Sequence, residues 1–491
     1  MNLTLDKNIR ISFKQIALYL AIGGITLYLG FFLKNGIGIL SFWIFLIFLF
    51  FSKNKDNLLL FIIFWLFLYN YYVGQGWITN NLVLKYLIRG QLYVLITFLF
   101  LFSKSWIKNG LSKKLLKWAI ILTIIILLSN LFHLNFQLSF INRIYFILLF
   151  ILILNLPQKR YFETRLFNLI IALGILEVIV SFLQVNQVIA PPQRIAESHT
   201  QIYLWVAALD DVASGTFGAM QSNVTSWFET VLFLVFFGLG VYKKKIAFIV
   251  LSFIFIMQYV TVDSKTALGV TALSFLYLLY RLKIFNFLNK KNIKYIVLIS
   301  IFLIIAKSFV AYYYTSQNAI GTEKTKNYVE GSVGLVFNYI PDWGKIAGFR
   351  NITKDYIKNY PSYFLIGYGI GNFTYNTNSG RIEDMDIPIM QLNNITRSRS
   401  SLISAYGNLG IPGLFMVLWL FVIFYKDIKK QKFYTVFGAS FKQAGIAVLF
   451  GSIIFMFLYG GHHYNDLAFQ MFIILYALVK RVEVQHVKTP L

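Results

Sequence analysis

The sequence predicts an all-α polytopic membrane protein of about fourteen transmembrane helices carrying one large extracytoplasmic loop. Three observations predict it. Hydrophobic residues make up 58% of the chain and the mean hydropathy is +0.67. Apolar runs recur at lengths near the ~20 residues that cross a bilayer as a helix. Lys and Arg gather in alternate connections between those runs, the pattern of loops retained in the cytoplasm. A formal charge of +26 in a soluble protein would suggest nucleic acid. Here the charge follows membrane topology, so no nucleic-acid partner is expected.

Candidate helices cover 15–33, 37–52, 58–73, 84–102, 115–132, 138–155, 167–184, 225–242, 246–262, 266–282, 293–311, 401–425, 441–459 and 465–481. The first follows Lys7, Arg10 and Lys14 and resembles a signal peptide's charge and core. It is too long and lacks a small-residue cleavage site, so it reads as an uncleaved span. The basic connections are "SKNKD", "SKSWIKNGLSKKLLK", "PQKRYFETR", "YKKKI", "RLKIFNFLNKKNIK" and "YKDIKKQK". With the two tails they hold most of the 45 Lys and Arg and few of the 19 Asp and Glu, which places both termini in the cytoplasm.

This topology divides the chain into 1–311, with helices one to eleven and an external loop at 185–224; an external cap at 312–400; and 401–491, with the last three helices and a cytoplasmic tail. Loops as long as 312–400 are functional or disordered. Its aromatic and aliphatic stretch "GLVFNYIPDWGKIAGFRNITKDYIKNYPSYFLIGYGIGNF" argues for packed short helices. The chain has no cysteine, which excludes disulfides, thiolate metal sites and cysteine nucleophiles.

Ionisable groups in hydrocarbon cost a few kcal/mol each and so face a cavity or a partner. Arg89, Arg143, Glu177, Glu229, Asp263 and Lys265 all fall in the outer portions of their helices, as one polar site opening outward would require. Snorkelling is the better reading for Lys34 and Lys85, and an Arg143–Glu177 ion pair would explain that couple without catalysis. Glu177 and Glu229 accept hydrogen bonds when ionised and can take a proton from a reacting hydroxyl. Glu229, about one turn into its expected helix, would also suit the positive end of the helix dipole. In "GGHHYND", two histidines stand beside Asp466, but adjacent residues diverge and no third metal ligand is fixed by spacing. His462 could instead hold an anion or move a proton. The glycines of "GYGIGNF" do not form a phosphate loop and read as tight turns.

"SKTALGV" (264–270), "FLIGYGIGNF" (364–373) and "RSSLISAYGNLGIPGLF" (399–415), in this order around a long external loop, resemble the O-antigen ligase/polymerase superfamily of Wzy and WaaL membrane glycosyltransferases. The resemblance covers essentially the C-terminal half. Ligases of that family carry a His-Asn pair nine residues before G-x-x-G. Here Gly410 and Gly413 hold the glycine positions while Arg399 and Ser400 stand in place of His and Asn. Arg399 and Gly410 instead meet the R-x10-G pattern of polymerases. Arg194 offers a second such arginine, but Trp205 stands where the glycine would be, and Lys265 stands where the family often has Arg.

The resemblance implies a GT-C-type membrane fold and a polymerase that joins undecaprenyl-diphosphate-linked repeat units into O-antigen or capsular polysaccharide. Its site would face the exterior of a bacterial inner membrane. Arg89, Arg143, Arg194, Lys265, Arg397 and Arg399 are the expected cations for the diphosphate and sugars. Arg399, Glu177, Glu229 and His462 are the catalytic candidates, with Asp263 a further acceptor. No metal or other cofactor is demanded, because arginine can neutralise the leaving group. Expected partners are the lipid-linked donor and acceptor, the bilayer and a Wzz-like chain-length regulator. A ligase is the near alternative, and a flippase of lipid-linked oligosaccharide is the alternative from another class.

Overall fold

The structure is a computed structural model that describes residues 3–6, 9–32, 55–74, 95–97, 99–101, 110–133, 139–155, 161–185, 222–261, 265–284, 345–369, 400–458 and 466–488. The chain opens with strands β1 (Leu3–Asp6) and β2 (Ile9–Ile11) and helices α1 (Phe13–Phe32) and α2 (Lys55–Gly74). Then come α3 (Gly110–Phe132), α4 (Ser139–Asn155), α5 (Phe162–Val185) and α6 (Ser222–Lys243). α7 (Ile246–Ile256), α8 (Gln258–Thr261) and α9 (Lys265–Arg281) follow, then α10 (Lys345–Lys358) and α11 (Tyr363–Ile366). The last three are α12 (Ser401–Lys430), α13 (Val436–Leu458) and α14 (Leu467–Lys488). Expected spans 37–52 and 293–311, and most of 84–102, lie outside the described residues.

Burial sorts the helices into an inner and an outer set. α6 and α14 are buried almost all round, as expected of helices that are apolar on every face. α7, α9, α13 and α14 surround α6, and α14 also packs on α4 and α5. α3 exposes Ile120, Ile124, Leu127 and Leu131, and α12 exposes Ile411, Phe415, Leu418, Val422 and Tyr425. Both sets step by three or four residues, so each is one continuous apolar stripe along its helix. Stripes of that extent do not stay in contact with water; lipid is the solvent that suits them. Five of the described helices are long and apolar enough to cross a membrane: Gly110–Phe132, Phe162–Gln184, Val224–Lys243, Ser401–Lys430 and Val436–Leu458. Shorter apolar helices accompany them at Phe13–Tyr28, Asp56–Leu68, Ile144–Asn155, Ile246–Ile256 and Ala267–Arg281. The chain is an α-helical membrane protein.

A small hairpin departs from the all-α expectation. β1 and β2 pair antiparallel, Leu3 opposite Ile11 and Thr4 opposite Arg10, with an irregularity before Asp6. The hairpin is stitched to α5. Asn168 Nδ2 donates to the Arg10 carbonyl (3.2 Å) and to Gln15 Oε1 (2.7 Å), while its Oδ1 accepts from Ser12 N (3.2 Å). Ser12 also caps α1 by accepting from Gln15 N at 3.4 Å. These polar anchors fall outside the apolar periodicity from which spans are read.

The expectation that charges within spans gather at one end also needs correction. α14 runs on to Lys488, past the expected limit at 481, and its last turns bury charge at the opposite end of the bundle. Arg481 Nε donates to Glu163 Oε1 at 2.8 Å and its Nη1 to the Ile153 carbonyl at 2.7 Å, with the guanidinium 4.7 Å from the Phe162 ring centre. Lys480 pairs with Asp427 at 2.6 Å, and Glu483 accepts from Tyr434 N (2.7 Å) and Thr435 N (3.0 Å). The C-terminal ends of α4, α12 and α14 thus meet the N-terminal ends of α5 and α13. Charges can be buried here because each meets an opposite charge or a hydrogen-bonding group. The span expected at 246–262 is interrupted at Met257, whose N–H is shared between the Phe253 and Ile254 carbonyls as the turn tightens.

Candidate functional site

The end of the bundle remote from Arg481 is organised by a break in α12. Ser400 starts the helix with extended backbone, and its Oγ accepts from Ile403 N at 3.1 Å. The helix proceeds to Gly410, where φ 66° and ψ −160° leave the helical region, and resumes through Pro412. Pro412 has no N–H to offer the Asn408 carbonyl four residues back. That carbonyl accepts from Gly369 N at 3.1 Å, and the Gly407 carbonyl accepts from Tyr368 N at 2.8 Å. Tyr356 Oη lies 2.9 Å from the Gly407 carbonyl and 3.1 Å from that of Tyr406, so its single proton is shared between them. The helix break is filled by protein donors, the condition for irregular backbone at membrane depth.

Two glycines make the seat possible. Gly367 has φ +67°, and a Cβ there would collide with the Asn408–Leu409 peptide; a Cβ on Gly410 would collide with the Phe364 carbonyl. Each glycine therefore lets its own backbone approach the other's segment. α3 closes the side of this clamp: Ser129 Oγ donates to the Ile366 carbonyl (2.8 Å) and His133 Nε2 lies 2.9 Å from the Gly367 carbonyl. Trp118 Nε1 donates to the Met416 carbonyl at 2.7 Å, tying α3 to the second half of α12.

Tyrosines line the clamp. The Tyr356 ring contacts those of Tyr363, Phe364, Tyr368 and Tyr406, and Tyr360 stacks on Tyr363 with centroids 4.7 Å apart. Asp355 accepts from the Tyr368 hydroxyl and from Asn359 Nδ2 (2.7 Å). Burial pushes Tyr356 and Tyr368 above the usual tyrosine range, with the Asp355 hydrogen bond adding to the effect at Tyr368. Both phenols accordingly remain protonated and can keep donating across the physiological range.

Inside the bundle, towards the same end, lies a layer of polar side chains. Gln258 Nε2 donates to Ser181 Oγ at 2.6 Å. Thr230, Thr271 and Tyr259 form a hydroxyl triangle with edges of 2.7, 2.6 and 2.7 Å, and Trp227 Nε1 donates to Ser452 Oγ at 3.1 Å. Glu177 and Glu229 are both buried in this region, close enough for a charge on either to act on the other. Among the described residues, neither carboxyl oxygen of Glu229 has a hydrogen-bond partner, nor does Ser226 Oγ one turn earlier. A carboxyl group without donors, beside a second carboxyl and a run of hydroxyls, is equipped to exchange a proton.

Of the six charges expected to share one site, the structure describes the side chains of Glu177 and Glu229; Glu229 is the eighth residue of α6, about two turns in rather than one. Arg143 lies on α4 and Lys265 opens α9; only their backbone positions are described. Arg89, Arg194, Asp263, Arg397, Arg399 and His462 lie outside the described residues. Asp466 caps α14, its Oδ1 accepting from Phe469 N at 2.8 Å, which gives the acidic member of "GGHHYND" a structural task. Among the described residues no group of three His, Asp or Glu is placed to hold a metal ion.

Sequence reasoning did not anticipate Tyr356, which holds the clamp, or the hydroxyl triangle. Ser226 and Thr230, small polar residues four apart in an apolar run, were a usable signal for the triangle. Tyr259 and Thr271 gave none, because only tertiary packing brings them to Thr230. No family model, curated protein or solved structure matches the chain.

Proposed function

We propose that the chain is a membrane glycosyltransferase that joins lipid-diphosphate-linked oligosaccharide repeat units into a surface polysaccharide. The observation that carries the reading is the seating of Gly367–Gly369 on Gly407–Gly410. These two segments, far apart in sequence, are those through which the chain resembles the O-antigen polymerases, and they fold as one unit. Arg399 immediately precedes in sequence the Ser400 that caps α12. On this reading the protein has about fourteen spans in a GT-C-type arrangement. Both termini are cytoplasmic, and the clamp is on the outer face of a bacterial inner membrane.

In the reaction, the bond between the donor's anomeric carbon and its phosphate oxygen breaks. A glycosidic bond forms to a hydroxyl of the incoming unit, and undecaprenyl diphosphate leaves. Arg399, with Arg397, Arg194, Lys265, Arg143 and Arg89 as further cations, stabilises the charge that develops on the diphosphate. Glu177 or Glu229, or His462 in the loop before α14, accepts the hydroxyl proton. A Wzz-like regulator would set chain length. Arginine at 399, rather than the ligase histidine, favours polymerase over ligase.

The test is reconstitution of the purified chain with lipid-linked repeat units. A ladder of lengthening lipid-linked glycan is expected, falling by about two orders of magnitude in Arg399→Ala, as for other removed charge-stabilising groups. Arg399→Lys should fall less, since it keeps the charge and loses the planar fork. Transfer only to a separate acceptor would replace polymerase by ligase. The interrupted α12 also belongs to the repertoire of transporters. Movement of labelled lipid-linked sugar across vesicles with unchanged glycan length would establish a flippase instead.

A further inference from the structure

α10 has two unlike faces. Phe349, Ile352 and Tyr356 turn towards α12, where they join Ile403 and Tyr406 in a small apolar cluster. The opposite face exposes Arg350, Lys354 and Lys358. Residues four apart on a helix are offset by only ~40°, so the three cations form one stripe, and Ile357, 62% exposed, sits at its edge. Lys354 and Lys358 repel one another at this spacing, a repulsion that an external anion lowers. Asp355, the one acidic residue of α10, is engaged by Tyr368 and Asn359.

The level of α10 identifies the anion. It packs on the first half of α12, before the break at Gly410, and the lipid-facing stripe of α12 begins at Ile411. The basic stripe therefore sits where the hydrocarbon surface gives way to water, and Leu365 of the adjoining α11, 68% exposed, adds apolar surface there. Cations bordered by exposed aliphatic groups at this level match a phospholipid, phosphate above and acyl chain below. We propose that Arg350, Lys354 and Lys358 form a docking surface for the phosphates of anionic bilayer lipids, which seats the clamp on the membrane surface. This goes beyond the glycosyl-transfer reading and does not depend on it.

The test uses the full chain in proteoliposomes containing spin-labelled phosphatidylglycerol or phosphatidylcholine. The lipid shell of the parent should favour phosphatidylglycerol several-fold, and the preference should weaken as salt shortens the screening length. It should fall close to parity in R350Q/K354Q/K358Q and partly in K354Q alone. It should persist in R350K/K354R/K358R, which preserves the charges. Undiminished preference in the triple glutamine protein would overturn the proposal. So would salt-sensitive binding of an acidic polysaccharide in lipid-free detergent that the glutamine changes abolish while lipid preference stays, since the stripe would then be a glycan surface.

Discussion

Gly410→Ala should release the clamp. At φ 66° and ψ −160°, Gly410 occupies backbone space that is essentially reserved for glycine, and a side chain there costs on the order of 1–3 kcal/mol. The added Cβ would also run into the Phe364 carbonyl, which belongs to backbone and cannot swing aside. Overpacking of this kind costs a further ~1–3 kcal/mol. Together the two effects come to about 2–6 kcal/mol, or roughly 30-fold to 10⁴-fold in the equilibrium between seated and unseated clamp at ~1.4 kcal/mol per factor of ten. Relief requires moving α11 or rotating Gly410, and either change pulls Gly369 N away from the Asn408 carbonyl.

The assay is thermal unfolding of the purified protein in detergent, paired with limited trypsin cleavage after Lys358, which is exposed beside the Asn359–Ser362 turn. Gly410→Ala should unfold earlier and be cut faster at Lys358. Gly269→Ala is the control: Gly269 lies in α9 with no positive φ, and a Cβ added to it would meet nothing within 4 Å. Alanine there should be neutral or slightly stabilising, because glycine costs up to ~1 kcal/mol in a helix interior. If Gly410→Ala matches the parent in both midpoint and cleavage, the clamp does not depend on the close approach described above, and the reasoning fails.

Three further outcomes are expected. Tyr356→Phe keeps the ring cluster but removes the donor shared by the Tyr406 and Gly407 carbonyls, so it should cost about 1–2 kcal/mol by denaturant or thermal titration. Arg481→Met leaves Glu163 buried and unpaired and should cost ~3–5 kcal/mol, whereas R481M/E163Q should recover much of that loss in a double-mutant cycle. Glu229→Gln should unfold at or above the parent temperature, because it removes an ionisable group that is fully buried without donors among the described residues. Compared with Glu177→Gln in the polymerisation assay, it shows which carboxyl group takes the proton; full activity in both would exclude the pair.

The membrane character was legible from composition and run length because lipid exposure demands only apolarity and extent, as the stripe Ile411, Phe415, Leu418, Val422 and Tyr425 shows. Glu177 and Glu229 were each legible as unusual because a carboxyl group inside an apolar run announces itself. The buried Arg481–Glu163 pair was not, since Glu163 sits in the basic connection "PQKRYFETR" and Arg481 at the very end of its expected span. What buries them is the convergence of α4, α5 and α14, a tertiary fact. The N-terminal hairpin escaped for a similar reason: its hold on α5 passes through Asn168, a single polar residue in an otherwise ordinary apolar span. Gly410 was legible as a glycine of the family pattern but not as a break. The sequence "NLGIPG" is compatible with a kinked helix or with two helices, and the choice depends on whether another segment supplies donors to the carbonyls that Pro412 leaves open.

That dependence bears on how such a site would work. The two amides that fill the break, Tyr368 N and Gly369 N, come from a segment held at its other side by α3 through Ser129 and His133. The first half of α12, up to the break, is therefore fixed by contacts from two directions before any ligand arrives. A cation that must meet a diphosphate as charge develops gains from a support that does not reorganise during the reaction. A transporter would want the opposite, a break whose carbonyls stay open to an ion or substrate. In this chain the carbonyls of Gly407 and Asn408 are already engaged, which suits a rigid catalytic support better than a moving gate.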